Sequence, residues 1–194
     1  MNIFILDKDP YLAAQYLCDI HVRKMLIESV QLLTNGYCES QLIWAPETQN
    51  GNTRKYSHYN HPCSIWVRQS YDNWKWLRDH AHGIYTEFLH RFNKDHFCHG
   101  ILTWMNRNTP NSVPYGDLTP FALAMPEQYK NPCAVQSYRD YYINDKRVDK
   151  NGKWVLRYSN RDVPDWMPLN LKDLIYNQSE TKNRVETPIS VNLH

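Results

Sequence analysis

The sequence predicts a mainly α fold: a compact single-domain helical protein with two long helices, an extended proline-rich wrap and minor short strands. Three observations predict it. At 194 residues and 42% hydrophobic side chains, the chain can bury one sizeable core. Two long stretches, 10–34 and 62–92, repeat apolar residues at helical spacing. Between Thr103 and Pro132 stand five prolines, too many for a regular interior helix.

Taken in order, NIFIL is an apolar run too short to classify by period. It is either a buried N-terminal strand or an extended lead-in. Asp9 followed by Pro10 reads as an N-cap and first helical residue. From there an uninterrupted helical pattern runs to Leu33 and stops at Asn35-Gly36. Residues 45–62 are polar and read as a loop closing at His61-Pro62. The second helix, 62–92, places Ile65, Leu77, Ile84, Phe88 and Leu89 at compatible helical spacing with Arg68, Arg78 and Arg91 interleaved, and Gly83 marks a candidate break. The stretch after Thr103 wraps the helical core. A third helix fits 134–147, with Val135, Tyr138 and Tyr142 on one stripe, and Lys150-Asn151-Gly152-Lys153 reads as a hairpin turn between short extended pieces. The expected organisation is one helical domain over 1–176 and a loosely ordered polar tail over 177–194.

Composition narrows the function. Formal net charge is +2, so the chain as a whole is not a polycation. The charge is uneven: residues 1–53 hold three basic and six acidic side chains, whereas 54–107 hold eight basic, four acidic and seven of the nine histidines. A basic middle third can face phosphates, and the 7 Trp and 14 Tyr of the chain either fill the core or offer stacking surfaces for bases. Five scattered cysteines without a CxxC pair argue against both a disulfide framework and a zinc ribbon, and fit reduced thiols in a cytoplasm. No apolar run reaches spanning length and the start lacks signal-peptide character, so a cytoplasmic monomer without a membrane partner is expected. His80-x-His82 and His96-x-x-His99 lack a completing ligand, so neither a metal nor another cofactor is expected. Phosphate-binding glycine loops, nucleophile elbows and dinucleotide fingerprints are absent from the sequence.

The chemistry concentrates in Asp19-Ile-His-Val-Arg-Lys-Met-Leu-Ile-Glu-Ser29. At about 100° per residue, His21, Lys24 and Glu28 fall within roughly 60° of one another at the edge of the apolar sector formed by Val22, Met25, Leu26, Ser29 and Leu33. A surface ladder of i, i+3 and i+4 pairs explains these three, and so does a catalytic acid, base and ammonium beside an apolar wall. Asp19 lies on the apolar side and must find a cation or a hydrogen-bond donor. Elsewhere, His61 either closes a pocket or merely ends a turn, and Trp66, Trp74 and Trp76 either fill the core or stack on a base.

Two segments carry a resemblance: LAAQYLCD (12–19) and YDNWKWLRDHAHGIYTEFLHRF (71–92), with weaker echoes in MPEQY (125–129), AVQSYRDYYINDK (134–146) and PDW (164–166). In this order they are similar to the phage pyrimidine-dimer DNA glycosylases of the endonuclease V type. The opening MNIFILDKDP with DIHVRKM also resembles a recurrent, uncharacterised group of phage-encoded proteins. The glycosylase resemblance implies an all-α fold that grips DNA and breaks the N-glycosidic bond of a pyrimidine nucleotide. It also implies an N-terminal amine as nucleophile and an assisting carboxylate on the first helix, which maps near Asp19, with His21 adjacent, rather than onto Glu28. Asn2 departs from the small second residue that initiator-Met removal requires, so the expected enzyme is monofunctional and acts on a damaged or modified pyrimidine, unless Lys24 supplies the amine. The expected catalytic set is Asp19, His21, Lys24 and Glu28. The expected DNA-binding set is Asn2, Gln15, His61, Trp66, Arg68, Arg78, Arg139 and Tyr142. The alternatives are an enzyme that processes a free nucleotide or modified base, and a non-enzymatic nucleotide-binding phage-type protein.

Overall fold

The computed structural model describes residues 1–185. Its elements are α1 (Pro10–Gln15), α2 (Asp19–Thr34), α3 (Glu39–Leu42), α4 (Pro62–Gln69), α5 (Tyr71–Phe92), α6 (His99–Arg107), a 3₁₀ turn (Glu127–Tyr129), α7 (Ala134–Asp145) and α8 (Leu169–Val185). The mainly α expectation holds. The minor strands do not: among the described residues extended pairing is limited to one isolated antiparallel bridge, Val148 with Trp154. Residues 177–185 belong to α8, so the boundary expected at 177 falls inside a helix, and 186–194 lie outside the described residues.

Asp9 caps α1 as its sequence suggests, its side chain accepting from the Tyr11 and Leu12 amides at 2.9 Å each. The helix expected over 10–34 is nevertheless two helices. The chain breaks at 16–18, where Cys18 is extended (φ −73°, ψ 164°). No Gly or Pro marks this break. A side chain from elsewhere holds it: Arg91 of α5 donates to the carbonyls of Gln15 (2.8 Å) and Leu17 (2.7 Å), while the Cys18 amide donates to Tyr142 Oη at 2.8 Å. The carbonyls left over at the end of α1 are thereby satisfied without a continued helix.

The 62–92 helix also divides, at Ser70 rather than at Gly83. Ser70 is extended (φ −152°, ψ 157°) and accepts from the Asn73 amide at 3.2 Å, so the residue that ends α4 caps α5. Gly83 sits within an unbroken α5, where it permits close approach: a Cβ there would lie 2.8 Å from Ala14 Cβ and 3.3 Å from Tyr11 Cα. α5 is the central element, packed on α1, α2, α4 and α6.

The NIFIL run is an extended lead-in. Ile3, Ile5 and Leu6 are fully buried, and Phe4 takes a left-handed backbone (φ 55°). The wrap expected from Thr103 begins later, because 103–107 belong to α6; from Asn108 to Pro126 the chain is irregular and runs over the helices: Thr119 exchanges bonds with Asn73, Ser112 donates to Gly36 O, and Tyr138 donates to Ala122 O. Trp66, Trp74 and Trp76 are core residues. Trp66 packs on Trp76 and Phe121, and Trp76 stacks on a fully buried His80 whose ring nitrogens have no hydrogen-bond partner among the described residues.

Gly83→Ala tests the α1–α5 contact. Helix propensity alone would favour alanine by about 1 kcal/mol, whereas overpacking costs typically about 1–3 kcal/mol. The variant is therefore expected to be neutral to about 2 kcal/mol less stable, read as a lower urea midpoint at constant slope. A rise by the full propensity gain would show that the contact yields freely.

Candidate functional site

Two carboxylates of α2 face two different environments. Asp19, buried at the first turn, accepts from Arg91 Nη1 (3.2 Å), from the Ser159 amide (3.0 Å) and from Ser159 Oγ (2.6 Å). The Arg91 side chain has no solvent exposure and pairs again with Glu87 at 2.9 Å, and Glu87 is also gripped by Arg161. Two acids and two guanidinium groups thus form a closed network joining the α1–α2 break, α5 and the 159–161 segment. Each Asp19 oxygen is occupied by donors, which answers the need created by an acid on an apolar face.

Glu28 lies two and a half turns further along α2. Its Oε2 accepts from the Asn2 backbone N–H at 2.9 Å and stands 3.9 Å from the Met1 α-amine, while Oε1 is 3.4 Å from Lys24 Nζ. The ladder geometry read from periodicity is present, but its inner end reaches the start of the chain. Asn2 is anchored on both sides, its Nδ2 donating to Ala124 O (2.8 Å) and its Oδ1 accepting from the Ile3 amide (2.7 Å). The left-handed turn at Phe4 bends the lead-in over α2, and the Phe4 ring packs against His21, Tyr141 and Tyr142. A left-handed aromatic residue costs on the order of 1–2 kcal/mol and persists only where its surroundings fix it.

Around this pair lies an open cavity of about 180 Å³ lined by Met1, Asn2, His21, Lys24, Glu28 and Lys146, among others. His21 Nδ1 is 2.7 Å from Tyr142 Oη, which already accepts the Cys18 N–H. With the Tyr142 O–H as hydrogen-bond donor to Nδ1, which also lies 3.4 Å from Cys18 Sγ, the neutral imidazole carries its hydrogen on Nε2. Burial first, then the charges of Lys24 and Lys146, push the His21 pKa down to about 3. His61 caps α4, its Nδ1 accepting from the Cys63 amide at 3.2 Å, and its ring bonds the Met1 backbone. Burial, followed by the N-terminal charge and His58, holds the His61 pKa below its ordinary value. The cavity therefore offers an amine, a carboxylate, one imidazole biased to neutrality and two ammonium groups, with His61 behind Met1 and outside the lining.

Of the residues expected from sequence, Asn2, His21, Lys24 and Glu28 converge here, Tyr142 supports His21, and His61 stands next to Met1 outside the cavity lining. Asp19 and Gln15 belong to the Arg91 network instead. Trp66 is in the core. The remaining arginines are engaged internally: Arg68 with Tyr59 O and Ser64 Oγ, Arg78 with Asp79, and Arg139 with Leu6 O and Asp7. Sequence reasoning missed Lys146 and the partners Arg91 and Ser159. The signal for a partner was Asp19 on a core face, but its identity depends on contacts 72 and 140 residues away. Among the described residues no group of three or more His, Cys, Asp or Glu side chains is placed to hold a metal ion, and no helix is long and apolar enough to cross a membrane.

An amine held beside a carboxylate in a polar cleft is the class of site in which a nitrogen nucleophile is served by an acid–base group. The family model for pyrimidine dimer DNA glycosylase matches residues 1–100, more than half of the 194, and the chain belongs to that family. No curated protein and no solved structure matches it. The matched span includes Met1, Asn2, His21, Lys24, Glu28 and His61, whereas Lys146 and the Asp19 partner Ser159 lie beyond it.

Arg91→Ala leaves Asp19 and Glu87 facing each other across a hole, and a loss of about 3–5 kcal/mol is expected in denaturant unfolding. A loss below 1 kcal/mol would show that the network does not hold the α1–α2 break. A second expectation concerns acid. His21 and His80 both have folded-state pKa values lowered from 6.5 to about 3, burial being the leading cause. Groups with depressed pKa stabilise the fold above their unfolded value and lose that contribution as pH falls from about 6.5 towards 3. The urea midpoint should fall across that window, and His80→Phe, which keeps the stack on Trp76, should shallow the fall. An unchanged slope in the variant would remove His80 from the account.

Proposed function

We propose that the protein is a DNA glycosylase that releases a damaged or modified pyrimidine, with Glu28 as the catalytic carboxylate and the Met1 amine as its nucleophile. The observation that carries this reading is the placement of Glu28 Oε2 2.9 Å from the Asn2 nitrogen and 3.9 Å from the Met1 amine within one open polar cavity. Family membership supplies the substrate class. The carboxylate role that the resemblance puts near Asp19 moves to Glu28, because Asp19 is already saturated by Arg91 and Ser159. The Met1 amine stands beside Glu28, in the place that the resemblance gives to the nucleophile.

Base release then proceeds as follows. Glu28 takes a proton from the Met1 ammonium, and the freed amine bonds to C1′ of the target nucleotide as the C1′–N bond breaks; the base leaves with that electron pair and takes up the proton held on Glu28. Glu28 accepts the proton shed by the new C1′ amine. Opening of the sugar ring transfers the C1′–O4′ electron pair to O4′, which is protonated, and leaves an imine between C1′ and the N-terminal nitrogen. The carboxylate also faces the positive charge that develops on the sugar. His21, neutral and donating from Nε2, orients a base or sugar oxygen, and Lys24 and Lys146 attract the adjoining phosphates. The cavity has room for about one base or one sugar, which requires the nucleotide to leave the stack. The monofunctional route expected from the sequence uses the same carboxylate with a water in place of the amine. Lys24, bound to Glu28 Oε1, is the remaining amine within reach.

DNA carrying a panel of damaged and modified pyrimidines, incubated with the protein and borohydride, tests both routes. The expected result is base release with a covalent adduct whose peptide mass lies on residue 1, both reduced at least 100-fold in Glu28→Gln. An adduct on Lys24 would shift the nucleophile, and release without an adduct would establish the hydrolytic route. A loss in Asp19→Asn as deep as that in Glu28→Gln, in a folded protein, would return the carboxylate role to Asp19. No release from any substrate would overturn the reading.

A further inference from the structure

Beyond the family-matched half, residues 146–157 fold back as a hairpin arm against α2. Val148 pairs with Trp154, the Val155 amide donates to Arg147 O at 2.9 Å, and the Asp149 amide donates to Lys153 O at 2.8 Å. The arm carries five basic side chains, Lys146, Arg147, Lys150, Lys153 and Arg157, against a single acid. That acid, Asp149, is used up in the turn, accepting from the Asn151 and Lys153 amides at 2.8 and 3.0 Å. Between the arm and the first turns of α2 opens a notch of about 640 Å³ lined by Ile20, Arg23, Lys153, Trp154 and Arg157, with Asp19 at its floor. The Asp19 charge is already matched by Arg91. Among the described residues no carboxylate pairs with Arg23, Lys153 or Arg157, so the notch presents three uncompensated cations. Trp154 is partly exposed, its Nε1 tied to Leu156 O at 3.0 Å, which fixes the ring as one wall.

We propose that this notch binds the sugar–phosphate backbone of the DNA strand beside the target nucleotide, with Trp154 as a stacking surface for a neighbouring base. Guanidinium and ammonium groups without a carboxylate partner, Arg23 resting on the Phe92 ring at 4.2 Å, around a rigid aromatic face are the chemistry that takes phosphodiesters and bases together. Its position fits a single strand running along α2. Ile20 and Arg23 line the notch, Lys24 and Glu28 line the amine cavity, and Lys146 belongs to both the arm and that cavity. Arg23 and Glu28 are five residues apart on α2, a rise of about 7.5 Å at about 1.5 Å per residue, against about 3.4 Å per nucleotide on one strand. The notch therefore receives the backbone roughly two nucleotides from the position served by Glu28. The inference rests on the glycosylase reading for its ligand, and on residues outside the matched span for its site.

The test is the salt dependence of duplex DNA binding by the full chain. Neutralising the notch with Arg23→Gln, Lys153→Gln and Arg157→Gln together should lower the slope of log affinity against log salt by about 2–3, since each phosphate contact contributes about 0.9. Lys75→Gln, an exposed charge on α5, should leave the slope unchanged. Trp154→Ala should weaken binding several-fold with the slope retained. Base release at saturating DNA should persist in the triple variant, with more DNA needed to reach half of it. An unaltered slope in the triple variant, folded by its denaturation midpoint, would overturn the notch and leave base release standing. A lowered slope with no base release from any substrate would uphold the notch and sink the glycosylase reading. Absence of DNA binding by the wild-type chain would overturn both.

Discussion

The Arg91 guanidinium is the group on which the rest of the arrangement depends. Buried on α5, it reaches two carbonyls at the end of α1, a carboxylate at the start of α2 and another on its own helix. An isolated charge in that position would cost far more than any single contact returns, so its five donors are distributed to satisfied acceptors on all sides. The consequence is geometric. By ending α1 where it does, Arg91 sets the direction in which α2 departs, and α2 carries Arg23, Lys24 and Glu28 in turn past the lead-in and the hairpin arm. Arg161 and Ser159 close the same network from the far end of the described chain.

A division of labour between the two acids of α2 follows from their surroundings. Asp19 is met by fixed donors, the Arg91 guanidinium and the Ser159 amide and hydroxyl. Glu28 meets a backbone amide, an amine and an exposed lysine, partners of which at least two can exchange protons. Two carboxylates less than ten residues apart on one helix are thus separated in role by what folds over them, and neither role is written in the helix itself.

This is also where the sequence stops being informative. The Asp9-Pro10 start, the His61-Pro62 start, the wrap after residue 108 and the clustering of His21, Lys24 and Glu28 were legible because each rests on neighbours within four residues. The break at 16–18 was not, since its cause is a side chain more than 70 positions away, and the substitution of Ser70 for Gly83 as the second break shows the limit of reading glycine as punctuation. Gly83 is there for closeness to Ala14, not for flexibility. For Asp19, periodicity correctly demanded a partner and could not name it. For Glu28, periodicity placed it beside Lys24, and only the fold of residues 1–5 brings the amine to it.

The left-handed backbone at Phe4 ties these levels together. A glycine would adopt that conformation without strain, yet it would lose the ring that wedges between His21, Tyr141 and Tyr142 and so holds residues 1 and 2 above Glu28. At position 4 the demands of backbone comfort and of positioning oppose each other, and the aromatic residue answers the second. The lead-in is in effect a loaded clasp: conformational strain retained at one residue keeps the Met1 nitrogen from drifting away from Glu28, at a place where terminal residues of most folds are free to fray.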